Sequence, residues 1–182
     1  MKAIRLTLVS HALTEPQKMG RFHRLDDAIL AFDGPLPEAR GQVLSAPERR
    51  ATQTAAFFAP TIRIEPALVD CDLGRWQGVA LKHLQEDQGR ALAQWRENPD
   101  CAPHGGESIT QLCQRIATWL QAFDTPGEWL AVTHPMVLRA ALIAVLGCPL
   151  EAFHRIDVPP LSRLALSHTG QWRLRLDQNA SL

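Results

Sequence analysis

Hydrophobic positions along this chain follow two periods. Residues 4–9 (Ile-Arg-Leu-Thr-Leu-Val) form a short run of β-branched and aliphatic side chains, the pattern of a buried strand. Val43-Leu44-Ser45, residues 61–64 and residues 129–133 read as three further strands. Elsewhere the period is helical. Ile109, Leu112, Cys113, Ile116, Trp119, Leu120 and Phe123 recur at spacings of three and four, which predicts an amphipathic helix over 107–123. Pro47 suits the first turn of a helix running to about residue 58, where Pro60 stops it. Pro135 opens an apolar helix over 135–146 that Gly147 and Pro149 end. Leu81, Leu84, Leu92 and Trp95 outline another helix, which contains the poor helix former Gly89. Residues 14–41, with Pro16, Gly20, Gly34, Pro35 and Pro37, read as loop with one helical turn around 27–32. Residues 163–167 and 172–176 alternate across Thr169-Gly170, which predicts a hairpin.

Strands alternating with helices imply an α/β fold. We expect three layers, a mostly parallel central sheet with helices on both faces, and a C-terminal antiparallel hairpin at the edge. The 182 residues suit a single domain, 1–182, large enough to bury a core without disulfides or metals. In such sheets ligands collect beyond the carboxyl ends of the strands.

Charge narrows the partners. Nineteen basic and nineteen acidic residues give zero formal net charge, so no broad positive field favours nucleic acid. A small anion needs only a local cluster of Arg and His. Cys71, Cys101, Cys113 and Cys148 have no CxxC spacing, so a zinc framework is poorly supported, and no cofactor is expected. They read as thiols of a reducing compartment. The start lacks a signal-peptide core and no apolar run is long enough to span a bilayer. The expectation is therefore a cytoplasmic chain with no membrane partner, and a homodimer is compatible with it.

Two histidines stand where ligands collect. His11 follows the first strand and His134 the fourth, while Arg50 falls in the first turn after the second strand and Asp70 in a loop after the third. A neutral imidazole is a nucleophile at neutral pH. Arg offers a planar fork to phosphate oxygens. A second His can donate a hydrogen bond, and a carboxyl can protonate a leaving alkoxide. Taken singly, each has an ordinary reading: a structural His, a helix-start Arg, a loop or capping Asp. Only their joint placement points to chemistry.

In that order these segments resemble the histidine phosphatase superfamily, which includes cofactor-dependent phosphoglycerate mutases. Its opening Arg-His-Gly corresponds to Ser10-His11-Ala12. The Ser-Pro pair and Arg-Ala-x-Gln-Thr-Ala look like Ser45-Ala46-Pro47-Glu48-Arg49-Arg50-Ala51-Thr52-Gln53-Thr54-Ala55. The acidic residue before Phe/Tyr-Gly and then Glu-Gly is similar to Asp70-Cys71-Asp72-Leu73-Gly74-Arg75-Trp76-Gln77-Gly78, in which Asp72 is either the acid or a bystander. Gly105-Gly106-Glu107-Ser108 opens a helix, and Thr133-His134-Pro135-Met136-Val137-Leu138-Arg139 resembles the last signature. The resemblance implies a phosphatase acting on a small phosphorylated metabolite. His11 would form a phosphohistidine, Arg50 and His134 would hold phosphoryl oxygens, and Asp70 would donate the proton. Gln17, six residues after His11, stands where members often carry a phosphate-contacting Asn. Members need no metal.

The departures sharpen the expectation. Ser10 occupies the phosphate-site position of the family's first Arg, so one charged donor is missing. Losing one preorganised donor costs about 10²–10³ in rate, which implies slow turnover unless another cation substitutes. Arg21, Arg24, Arg75 and Lys18 lie in loops within reach, Arg21 foremost. A helix that members fit between about residue 35 and Ser45 has little room here. The alternative reading is a degenerate member that binds a phosphorylated or other anionic ligand without turnover. A mutase is disfavoured because no insertion carries extra substrate-holding basic residues. A serine hydrolase built on Ser10, Asp70 and His134 lacks a Gly-x-Ser-x-Gly elbow.

Overall fold

The structure, a computed structural model, describes residues 3–34, 36 and 39–176. Its six-stranded sheet has the order β3-β2-β4-β1-β5-β6, formed by β1 (Ile4–Ser10), β2 (Gln42–Ser45), β3 (Arg63–Ile64), β4 (Gly127–Thr133), β5 (Arg163–His168) and β6 (Trp172–Arg175). β1 to β4 run parallel, and β5 and β6 add the expected antiparallel hairpin at one edge. The inner strands β1 and β4 are nearly continuous hydrophobic runs because both faces of the sheet are covered. α6 (Pro135–Leu146) lies along β1, α2 (Arg49–Ala55) along β4, and α5 (Ile109–Ala122) packs on α6.

Register is what matters for the site. In the β1–β4 ladder Ser10 pairs with Thr133. The two histidines that follow these residues therefore leave the sheet side by side at its carboxyl end. The His11 N–H donates to the Thr133 carbonyl at 2.9 Å, which extends the ladder by one bond.

α5 begins where a capping box puts it. Ser108 Oγ accepts from the Gln111 N–H at 3.2 Å, and Gln111 Oε1 accepts from the Ser108 N–H at 2.8 Å. Ser108→Ala should lower unfolding free energy by about 1 kcal/mol in chemical denaturation, the usual worth of such a cap. An unchanged midpoint would mean the helix end is held by packing alone. Just upstream, Gly106 cannot carry a side chain, since a Cβ there would collide with the Asp72 carbonyl oxygen. The Gly-Gly-Glu-Ser segment thus presses against the loop that bears Asp70.

Three expectations change. The helix predicted from Pro47 starts at Arg49, with Glu48 as its N-cap in extended conformation. The helix drawn through Leu81 and Trp95 is two helices, α3 (Leu81–Asp87) and α4 (Gly89–Glu97), broken at Gln88 where φ is −135°. Within the predicted loop 14–41, the short helix α1 (Glu15–Lys18) is capped by Thr14, and no turn of helix forms over 27–32, where Ile29 bridges to Thr14 instead. A 3-10 helix, Leu150–Arg155, carries no sequence signal beyond Phe153, which it buries. Of the short segment before Ser45, Pro35, Pro37 and Glu38 lie outside the described residues.

Candidate functional site

Four loops at the carboxyl ends of β1, β2, β3 and β4 converge on a cavity of about 490 Å³. His23, Glu48, Arg50, Asp70, Trp95 and Arg139 are among its lining residues. His11 and His134 are fully buried beside it, with ring centroids 5.4 Å apart. His11 stands edge-on to His23 at 5.1 Å.

His11 is oriented by its own neighbour. Its Nδ1 lies 2.8 Å from the Ala12 carbonyl oxygen, an acceptor only, so Nδ1 carries the proton. Nε2 is then the lone-pair nitrogen, and it has no hydrogen-bond partner among the described residues. Burial, then the charge of His134, holds the His11 pKa well below the ordinary histidine value. The ring is therefore neutral at pH 7, as a nucleophile must be. The Ala12 N–H donates to Thr54 Oγ1 at 3.0 Å, and Thr54 donates to the Arg50 carbonyl at 2.7 Å. The only non-glycine residue with positive φ among those described is Leu161, so alanine costs no backbone strain at position 12.

Arg50 is 2% exposed and divides its fork. One terminal nitrogen donates to the Arg24 carbonyl at 2.9 Å and the other to Asp70 Oδ2 at 2.7 Å, while Nε has no partner. Burial alone would raise the Asp70 pKa, but His134 and then Arg50 hold this carboxyl well below the usual carboxylate range. Its loop is clamped from behind. Arg115 donates to both Glu107 oxygens at 2.8 and 2.7 Å and to the Ala67 carbonyl at 2.7 Å. The Glu of Gly-Gly-Glu-Ser thus acts on the site through Arg115 and the backbone before Asp70.

Glu48 is the residue that the sequence did not single out. It is buried, accepts from the Asp70 N–H at 2.8 Å with Oε1, and lies 2.8 Å from His134 Nε2 with Oε2. Burial works against its charge, yet the His134 hydrogen bond brings its pKa below the ordinary value. The carboxylate fixes the His134 tautomer: Nε2 carries a proton toward Glu48. His134 Nδ1 faces Asp70 Oδ2 at 3.5 Å without a hydrogen bond.

Of the residues expected from sequence, the structure brings together His11, Arg50, Asp70 and His134. Arg21 and Arg24 line the cavity with exposed side chains. Ser10, Gln17 and Arg75 are placed otherwise. Ser10 Oγ is buried and donates to the Pro159 carbonyl at 2.8 Å. Gln17 uses its side-chain oxygen to accept from the Thr14 N–H at 3.2 Å, as part of the α1 cap. Arg75 donates to the Pro103 carbonyl and is not among the lining residues. His23, whose Nε2 is 2.8 Å from Thr14 Oγ1, joins the cavity without a local sequence signal beyond its residue type, while Arg139, the last residue of the signature that contains His134, lines it with its Nε donating to the Ile156 carbonyl at 2.7 Å. Burial, then Arg50, lowers the His23 pKa to about 4. Among the described residues no group of His, Cys, Asp and Glu is arranged to hold a metal ion, and no helix is long and apolar enough to cross a membrane.

The comparisons bear on this geometry. The sequence pattern of the histidine phosphatase superfamily (branch 1) matches residues 36–179, a stretch that includes Arg50, Asp70 and His134 and begins after His11. A glucosyl-3-phosphoglycerate phosphatase of Mycobacterium tuberculosis is 28% identical over 94% of this chain and 88% of its own length. Phosphoserine phosphatase 1 of Hydrogenobacter thermophilus is 26% identical over 82% of this chain and 80% of its own. Among solved structures, the mycobacterial glucosyl-3-phosphoglycerate phosphatase complexed with VO3 superposes with a TM-score of 0.80 at 24% identity, covering 94% of this chain and 97% of that one. The alpha-ribazole phosphatase of Shigella flexneri gives 0.77 at 20% identity, covering 94% and 95%. At these identities the structural likeness establishes the fold.

Proposed function

The chain belongs to the histidine phosphatase superfamily, branch 1, and from that premise we propose that it hydrolyses a small phosphorylated metabolite through a phosphohistidine on His11. The observation that carries this reading is the state of His11: neutral, its Nδ1–H held by the Ala12 carbonyl, its Nε2 buried without a partner beside Arg50 and His134. Phosphatase relatives that span most of the chain support it.

The Nε2 lone pair attacks phosphorus, the bond from phosphorus to the ester oxygen breaks, and the leaving alkoxide takes a proton from Asp70. Water then attacks the phosphohistidine, the N–P bond breaks, and Asp70 takes up the water's proton as inorganic phosphate leaves. In the ligand-free arrangement Asp70 is an ionised partner of Arg50. Turning the Arg50 fork onto phosphoryl oxygens removes that cation from Asp70 and sets an anion beside it. Both changes raise the affinity of Asp70 for a proton, so substrate binding itself readies the acid. His134 and Arg50 hold the phosphoryl oxygens, and Arg21 and Arg24 face the rest of the substrate.

A second reading, binding of an anionic ligand without turnover, is favoured by one observation: Ser10 puts no cation in the site and bonds to Pro159 instead. One experiment separates the two. The wild-type protein is incubated with a panel of phosphate esters, released phosphate is measured, and alkali-stable, acid-labile phosphate is mapped by mass spectrometry. We expect turnover of at least one ester and a phosphohistidine on the peptide containing His11. Ligand-dependent thermal stabilisation with neither turnover nor label would replace the enzyme by the binding module.

A further inference from the structure

A buried carboxylate in a pocket meant for an anion is a liability unless it is paired. Glu48 is such a group, and the site already lacks a cation at position 10. Its two oxygens are both engaged: one holds the Asp70 N–H, the other the His134 Nε2 edge, each at 2.8 Å. The opposite edge of that ring, Nδ1, is buried, has no hydrogen bond, and points toward Asp70. With Nε2–H committed to Glu48, a neutral His134 presents only a lone pair at Nδ1. It then repels a phosphoryl oxygen instead of donating to it. It becomes a donor at that edge only with a second proton, and Glu48 is the counter-charge that pairs the resulting imidazolium.

Resting on the phosphatase reading above, we propose that Glu48 is a positioning residue that orients His134 and keeps it able to donate from both ring nitrogens, and that this supplies at the Nδ1 edge the cationic donor that Ser10 does not provide. The groups that face His134 are Glu48 from the start of α2, Asp70 from the loop after β3, His11 from the end of β1 and, behind His11, His23 from the loop after α1; Arg50 acts on it through Asp70. Two carboxylates and one arginine thus set the charge around the ring. Glu48 is the only one of them hydrogen-bonded to it.

The test begins without substrate. Ring ¹⁵N shifts of His134 are recorded in the wild-type protein and in Glu48→Gln, a variant of the same shape that removes the charge and leaves one oxygen to be shared by the Asp70 N–H and the His134 Nε2–H. At one pH between 6 and 8 (a window spanning the ordinary histidine range) the fraction of doubly protonated His134 should fall in the variant. Identical spectra across that window would overturn the proposal, whatever the protein hydrolyses. On an ester that the wild type turns over, Glu48→Gln should lower kcat by about 10²-fold, with little change in KM, and move the basic limb of the kcat profile to lower pH. Glu48→Asp, which restores charge with a shorter reach, should recover part of the loss. A purely structural Glu48 predicts instead a lower melting temperature with unchanged kcat and an unchanged limb, and that result also overturns it. Absence of turnover by the wild type counts against the phosphatase reading and leaves the spectroscopic comparison to decide the role of Glu48.

Discussion

Replacing His11 by Ala should abolish the phosphohistidine and reduce kcat by at least about 10³-fold, with the fold intact. The expectation follows from how little else could attack phosphorus. His23 lines the cavity, but its Nε2 is taken by Thr14 Oγ1 at 2.8 Å. Ser10 is turned away onto Pro159, and burial, then the neighbouring Asp70 carboxylate, pushes the Cys71 thiol far above the usual thiol range. Deleting the nucleophile of a covalent mechanism removes the whole pathway, so only positioning by Arg50 and His134 would remain. Fold integrity is checked by circular dichroism, because Ala at a fully buried position leaves a small void. The wild type also carries a pH expectation. Because burial lowers the His11 pKa well below 6.5, this nucleophile stays deprotonated as pH falls through 6.5. The acid limb of kcat/KM should therefore lie below that value. A His11 imidazole that NMR shows protonating at or above pH 6.5 would contradict the buried, neutral ring, and His11→Ala with wild-type turnover would remove His11 from the chemistry.

Much of this site was legible before any fold was known. His11 and His134 stand out because each ends a hydrophobic strand run, and the place beyond a parallel strand is where a ligand collects. What the runs could not supply is the register, Ser10 opposite Thr133, that sets the two rings side by side. Arg50 and Asp70 followed from their places after the second and third strands and from the family resemblance. Their direct contact could not, since it depends on how the Glu107–Arg115 pair clamps the loop before Asp70. Gln17 illustrates competing signals. Thr14 and Gln17 have the Thr-x-x-Gln spacing of a capping box, and that local bond is what holds the side chain. Glu48 was visible in the sequence only as the residue before a helix. Its partners, His134 and the Asp70 backbone, are distant along the chain, so nothing local marks it as buried. The 3-10 helix at Leu150–Arg155, which buries Phe153, likewise has no local signal, whereas the break at Gln88 falls beside Gly89, a poor helix former.

The second large effect concerns Asp70, and its size should depend on the leaving group. Asn at position 70 keeps an oxygen that can accept from Arg50 but cannot give or take a proton. On an alkyl phosphate, whose alkoxide is too basic to leave unprotonated, Asp70→Asn should lower kcat by about 10²–10⁴-fold, the range of a positioned general acid. On p-nitrophenyl phosphate, whose phenolate leaves without help, phosphorylation of His11 should be nearly unaffected. Dephosphorylation still needs a base to activate water. The variant should therefore accumulate phosphohistidine from that ester and show a burst of nitrophenol before a slow steady state. The structure gives a reason for the burst to be visible: Glu48 holds the Asp70 backbone N–H and His134 holds Glu48, so loss of the carboxylate at position 70 does not by itself release the loop or the phosphoryl donors. Rapid-quench measurement of both products checks this. Equal losses on alkyl and nitrophenyl esters, with no burst, would mean that Asp70 serves to set the charge of Arg50 and His134 and that the proton comes from another group, for which Glu48, the other buried carboxylate at the cavity, is the first to test.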